Sequence, residues 1–148
     1  MYVKDIMFND ITSVGPNTDI KYLIKLLMRQ HRDLMPVANQ HNEYLGMIGI
    51  EDVIYNALPN YYKLISNINF MPPSSDKLIE SLQNVKDKIV KDIFRKETFT
   101  LNEQDTALHA ANLMIKEDLK TIAVIRDKKL VGLVNRADFL SFLIDQSL

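Results

Sequence analysis

The chain has 148 residues, enough for one compact domain or for two small units that share a core. Apolar residues make up 47 % and charged residues 25 %, the balance of a soluble globular protein, and a net charge of −1 supplies no field that would gather nucleic acid. With no cysteine, disulfides, thiolate nucleophiles and zinc ribbons are excluded together. The first residues, Met1-Tyr2-Val3-Lys4-Asp5, lack the apolar core of a signal peptide. No apolar run approaches the length of a membrane span, so a cytoplasmic protein without membrane or nucleic-acid partners is expected.

Val3-Lys4-Asp5-Ile6 opens the chain and Val90-Lys91-Asp92-Ile93 repeats it, the first sign of two halves. Residues 11–14 read as a short strand, ended by Gly15-Pro16-Asn17. Thr18 or Asp19 then caps a helix whose Ile20, Leu23, Ile24, Leu27 and Met28 fall at i, i+3, i+4, i+7 and i+8, an amphipathic stripe. Residues 34–38 form a short buried strand, with Pro36 favouring its entry or an edge. A polar turn over residues 39–43 leads to a strand over 44–50 and a helix over roughly 51–58, which stops before Pro59. In the second half the short strand covers residues 98–101 and the turn 102–105. The next helix carries Ala107, Ala110, Ala111, Met114 and Ile115 on one face. Strands over 121–126 and 130–134 flank a tight turn, and the last helix begins near Arg136 with Phe139, Leu140, Leu143 and Ile144 on it.

Each half is therefore strand, helix, strand, strand, helix, a βαββα repeat in an α/β (α+β) protein. The repeat offset is 86 residues from Met28 to Met114 and from Asp52 to Asp138, but 87 from Val37 to Val124. Between the halves, Tyr61, Tyr62, Leu64 and Ile65 suggest a short helix, stopped by Pro72-Pro73. Ser74 or Ser75 then caps another with Leu78, Ile79, Leu82 and Val85 as its apolar face. The division is residues 1–58, a helical segment over 59–87, and residues 88–148.

The most informative stretch occurs twice: Gly46-Met47-Ile48-Gly49-Ile50-Glu51-Asp52 and Gly132-Leu133-Val134-Asn135-Arg136-Ala137-Asp138. Each reads as a buried strand turning into the first turn of a helix, with a cap position and an aspartate three residues on. Backbone N–H groups at that mouth attract anions. A carboxylate beside them could accept two hydrogen bonds from a ribose diol, or could simply complement the helix dipole. Gly46 and Gly132 read as close-packing glycines. Most methionines fall in apolar stripes and read as core. His31, His41 and His109 share no metal-ligand spacing. Lys86, Lys88 and Lys91 alternate with Asp87 and Asp92 as a solvated face. Tyr61, Tyr62 and Phe70 read as cover for an edge of the fold.

Taken together, these features resemble a tandem pair of CBS domains, a Bateman module. The resemblance rests on four paired features. One is the Val-x-Asp-Ile openings, followed by Met7 in the first. The second is the Leu27-Met28 and Leu113-Met114 helix ends, and the third Pro36-Val37 with Ala123-Val124 opposite. The last is the repeated glycine-to-aspartate stretch. It implies two repeats packed around a pseudo-twofold axis, with clefts that bind adenosine-containing ligands such as AMP, ADP or ATP. It also implies a homodimer and a regulated protein partner, here with the module standing alone. By that resemblance Asp52 and Asp138 hold ribose hydroxyls. Gly49 and Asn135 stand where the family favours serine or threonine for phosphate, Asn135 keeping a donor and Gly49 offering only backbone. Ser13 and Thr100 lie near the base, and Ile48 and Val134 are apolar walls. Lys120 and Arg136 are the cations of the second site, and Arg32 and His31 candidates for the first.

Three readings follow. The leading one is a small-molecule sensor for an adenosine nucleotide. The second is a structural or dimerisation module with decayed sites, a cyclic di-AMP sensor being a variant of the first. The third, an enzyme, is disfavoured because no activated nucleophile, metal cluster or phosphate-cradling glycine loop is present.

Overall fold

The computed structural model describes residues 1–58 and 75–147, and for residues 75–78 the backbone only. In chain order the elements are α1 (Val3–Ile6), α2 (Ile20–Arg29), β1 (Leu34–Ala38), β2 (Tyr44–Gly49), α3 (Ile50–Ala57), α4 (Ser75–Lys86), α5 (Val90–Ile93), β3 (Thr100–Leu101), α6 (Ala107–Lys116), β4 (Thr121–Arg126), β5 (Lys129–Asn135) and α7 (Arg136–Ser147). β1 pairs with β2; β3, β4 and β5 form a second sheet, β3 parallel to β4 and β4 antiparallel to β5. The mixed α+β repeat expected from the sequence is present in both halves.

The expected strand at residues 11–14 contracts to a single parallel bridge between Val14 and Val37, whereas β3 makes two pairs, Thr100 with Ala123 and Leu101 with Val124. The cause is Pro36. Its carbonyl accepts the Val14 N–H at 3.1 Å, but the next rung needs an N–H that proline lacks and Ala123 retains.

The compact units do not follow the order of the repeats. Unit 1 comprises Met1–Ser13, Ala38–Leu45 and Glu97–Leu148; unit 2 comprises Val14–Val37 and Gly46–Lys96. Each Val-Lys-Asp-Ile helix thus belongs to the unit built mainly from the other repeat. In unit 1, Val3 N–H donates to the Asp105 carbonyl at 2.8 Å, Lys4 N–H to Glu103 at 3.1 Å, and Ala107 N–H to Met1 at 3.0 Å. Phe8 and Leu133 exchange backbone bonds of 3.0 and 3.1 Å. Val3 and Ile6 join Leu101, Ala110, Met114, Ile122, Val124, Val134 and Phe139 in the core of this unit.

Two hairpin tips also meet in unit 1. Tyr44 N–H donates to Lys128 at 2.8 Å, Leu130 N–H to Asn42 at 3.0 Å, and Asn42 Nδ2 to the Leu130 carbonyl at 2.9 Å. Asp127 (φ 51°) and Lys128 (φ 70°) form the two-residue β4–β5 turn, both left-handed as a type I′ turn demands. In the other tip, Asn39 Oδ1 accepts the N–H groups of His41 and Glu43, each at 2.9 Å, and Asn39 Nδ2 donates to Glu43 Oε1 at 3.0 Å. That bond, helped by the charges of Lys129, His41 and Lys128, holds the Glu43 carboxyl below its ordinary value against a smaller opposing effect of burial.

Unit 2 uses the same bonds. Val90 N–H donates to Thr18 at 2.9 Å, Lys91 N–H to Pro16 at 2.7 Å, and Ile20 N–H to Lys88 at 3.1 Å. Met47 and Arg95 exchange bonds of 3.0 and 2.8 Å. Gly46 is required here, because a Cβ would overlap the Arg95 carbonyl oxygen. Ile20, Leu23, Leu27, Met35, Val37, Ile48 and Val90 are fully buried.

Three readings of helix faces need correction. Ile20, Leu23 and Leu27 of α2 are buried, but Met28 is 67 % exposed; Ala107, Ala110 and Met114 of α6 are buried, but Ile115 is 83 % exposed. At about 100° per residue, Met28 and Ile115 each lie roughly a quarter turn beyond the buried arc. Leu27 therefore matches Met114, at an offset of 87 that holds from α1/α5 through β1/β4. It falls to 86 once, inside the hairpins, where the second copy is one residue shorter: Val37 matches Val124, but Met47 matches Leu133. In α4 the buried side chains are Ser81 and Val85, while Ile79 and Leu82 are exposed. Of the expected face Val85 is buried as read, and among the described side chains Ser81, one turn before it, is buried where Ile79 and Leu82 were expected. The helix read at Tyr61, Tyr62, Leu64 and Ile65, together with Phe70, Pro72, Pro73 and Ser74, lies outside the described residues, as does the Leu78 side chain.

Candidate functional site

At each repeated stretch a strand gives way directly to a helix, β2 to α3 at Gly49 and β5 to α7 at Asn135. The entry is fixed by the same bond in both halves: Ile50 N–H donates to the Asp33 carbonyl at 3.0 Å, and Arg136 N–H to the Lys120 carbonyl at 2.8 Å. The two mouths differ in what surrounds that bond. A Cβ on Gly49 would lie 2.5 Å from the Asp33 carbonyl oxygen and 2.9 Å from Leu34 Cδ1. The first mouth is thus too tight for the serine or threonine that the resemblance would place there. Asn135, in the second, folds its Oδ1 back onto the Ala137 N–H at 2.9 Å.

The carboxylates differ more. Asp52 accepts the Gly49 N–H on Oδ2 at 2.8 Å, the N3-to-cap bond of a capping box. Arg95 Nε lies 3.1 Å from Asp52 Oδ1 and 3.2 Å from Oδ2. Asp52 retains 14 % side-chain exposure, and Arg95 is half exposed. Asp138, in the first turn of α7, is exposed and has no hydrogen-bond or ion-pair partner among the described residues. The helix-capping role of the carboxylate is therefore realised at Asp52 and not at Asp138.

The other expected residues divide as follows. Thr100, Lys120, Asn135, Arg136 and Asp138 all lie in unit 1. Thr100 is half-buried on β3 and Lys120 is exposed. Arg136 Nη1 reaches Asp118 Oδ1 only at 3.4 Å across an open surface, so the guanidinium is weakly held. Val134 is fully buried in the unit 1 core, and Ile48 is fully buried as well, so their side chains are spent on packing. Ser13 is exposed and is the last residue of the first segment of unit 1; Ile48, Gly49 and Asp52 belong to unit 2. His31 ends α2 in the left-handed conformation (φ 53°), as Asp118 ends α6 (φ 52°). Arg32 N–H and Leu119 N–H close these helix ends on Leu27 and Met114, which makes both Schellman motifs. His109 gives its N–H to the Thr106 cap. Among the described residues no three His, Asp or Glu side chains are grouped to hold a metal ion.

Arg95 was missed in the sequence because it lies outside the repeated stretch. The offset of 87 pairs it with Phe8, and both positions bond the strand before the helix, Phe8 to Leu133 and Arg95 to Met47. The signal was a charge on one side of an otherwise apolar match.

The family model for the CBS domain matches this chain twice, over residues 3–58 and 90–145. The chain belongs to the CBS-domain family. This CBS pair is 25 % identical to the uncharacterised protein MJ1426 of Methanocaldococcus jannaschii, covering 97 % of this chain and 92 % of the relative. It spans about two fifths of two further relatives from that organism, 39 % and 42 % of their lengths. Among solved structures it is similar to CBSX2, a CBS-pair protein of Arabidopsis thaliana, in complex with AMP (19 % identity, 99 % and 98 % coverage of the two chains, TM-score 0.76). It is also similar to the CBS domain pair of MJ0100 in complex with 5′-methylthioadenosine and S-adenosyl-L-methionine (20 % identity, 100 % and 98 % coverage, TM-score 0.69).

Proposed function

We propose that this CBS pair is a regulatory module that binds an adenosine nucleotide of the AMP, ADP or ATP class through its second repeat, as a homodimer that a protein partner reads. The observation that carries this is Asp138: an exposed carboxylate with no hydrogen-bond or ion-pair partner among the described residues, on the first turn of α7 beside Asn135 and Arg136. A carboxylate so placed accepts from both hydroxyls of a ribose. Arg136, Lys120 and the Asn135 amide supply cations and a donor for phosphate, and Thr100 a hydroxyl near the base. The AMP and S-adenosyl-L-methionine complexes of similar CBS pairs support the ligand class. Binding shifts the module only as far as the nucleotide prefers one of its arrangements, so the regulatory output is a difference in affinity between states. The module is proposed to bind rather than catalyse, because aspartate beside a diol orients a sugar and activates nothing.

The test is calorimetric titration with AMP, ADP and ATP, with cyclic di-AMP as competitor and native mass for the dimer. Each hydrogen bond to a charged acceptor contributes about 1.5–3 kcal/mol, so Asp138→Ala should weaken binding at least about tenfold. No heat and no rise in melting temperature with any of them would leave the structural reading. The Asp52–Arg95 pair favours that reading for the first repeat.

A further inference from the structure

We infer that Arg95 is a specificity-determining residue that closes the first repeat to ribose, so that the CBS pair takes one adenosine nucleotide per chain; the inference rests on the nucleotide-binding reading above. A ribose diol needs a carboxylate with open lone pairs. Asp52 has about four such positions, like any carboxylate. Gly49 N–H takes one on Oδ2, and Arg95 Nε lies across both oxygens at 3.1 and 3.2 Å. A diol approaching Asp52 must break a charge-assisted contact to replace it with neutral hydroxyl bonds, an exchange that loses more than it gains.

Arg95 cannot easily swing away as a segment. Its backbone is bonded on both sides to Met47, at 2.8 and 3.0 Å, and its carbonyl packs against Gly46. The side chain therefore starts from a fixed point beside the helix mouth. In the second repeat the same backbone position is Phe8, bonded to Leu133 in the same way. Phenylalanine brings no charge, and Asp138 has no ion-pair partner among the described residues. One substitution between matched positions, Phe8 against Arg95, accounts for the cation that Asp52 has and that Asp138 lacks among the described residues.

The experiment is calorimetric titration of the full chain with AMP and with ATP, comparing the native sequence with Asp138→Ala, Asp52→Ala, Arg95→Ala and Arg95→Met. The last keeps the aliphatic stem while removing the charge, and a cooperative melt confirms that each variant folds. The native chain should bind one equivalent. Asp138→Ala should lose at least tenfold in affinity, and Asp52→Ala should bind as the native chain does. Arg95→Ala and Arg95→Met should acquire a second equivalent, which Asp52→Ala added to either removes. Two equivalents in the native chain, weakened binding in Asp52→Ala, or a single equivalent in both Arg95 variants would each overturn the assignment while leaving nucleotide binding intact. No binding of either nucleotide to the native chain would overturn the nucleotide reading and this assignment with it.

Discussion

Two aspartates at matched positions end in different electrostatic surroundings. Sequence spacing placed both at a helix mouth but could not say which would be taken up by a cation, because that cation sits 43 positions away from Asp52. The same holds for Gly49: its lack of a hydroxyl was legible, but the Asp33 carbonyl that forbids one was not. Glu43 shows a residue-scale effect with a pH signature. Its carboxyl is held below the ordinary value of 4.5, first by Asn39 and then by nearby Lys129, His41 and Lys128. A carboxylate with a depressed folded-state pKa stabilises the fold above the unfolded value, and loses that contribution as pH falls through the folded one. Glu43→Gln should therefore reduce stability at neutral pH and flatten the decline below about pH 4.5, the ordinary carboxylate range. Urea midpoints measured from pH 7 to pH 3 check this; parallel curves for the two proteins would show that Glu43 carries no such linkage.

At the scale of elements, the helices and strands were largely legible because amphipathic periodicity and turn residues act locally. The errors occurred where long-range hydrogen bonding decides. Residues 11–14 have strand composition, yet Pro36 on the neighbouring strand limits them to one bridge. Met28 and Ile115 extend their stripes in sequence, yet each lies just past the arc that packing reaches. The β4–β5 turn is an element whose geometry one of its two residues resists. Asp127 and Lys128 are both left-handed; aspartate tolerates that region, but lysine there costs about 1–2 kcal/mol. Lys128→Gly should relieve that strain, offset in part by the greater entropy of glycine in the unfolded chain, for a net gain of up to about 1 kcal/mol. Thermal melts of the two proteins are the check, and a lower melting temperature for the glycine variant would mean that Lys128 makes a contribution outweighing its backbone strain.

For the whole molecule, the repeats were legible and the exchange between them was not. A repeat found by self-similarity invites the assumption that each copy folds on itself. Here the opening helix of each copy completes the unit made mainly by the other: Val3 is fully buried in unit 1 and Val90 in unit 2. The reason is in the backbone bonds. α1 takes its partners from residues 103–107, and α5 takes its partners from residues 16–20. Nothing in Val-Lys-Asp-Ile encodes which copy it will meet, because both copies read the same. A consequence follows for local stability. Val3→Ala removes two buried methyl groups and should cost about 2 kcal/mol, at about 0.8 kcal/mol for each plus the cavity left behind. The loss should appear in native-state hydrogen exchange as faster opening of β3, β4 and β5, which lie in the second repeat, with β1 and β2 less affected. Val90→Ala should do the reverse, exposing α2 and β1 in the first repeat. If each substitution instead loosened its own repeat, the exchanged helices would be peripheral to the units they enter, and their buried valines would have to be explained by contacts within their own half.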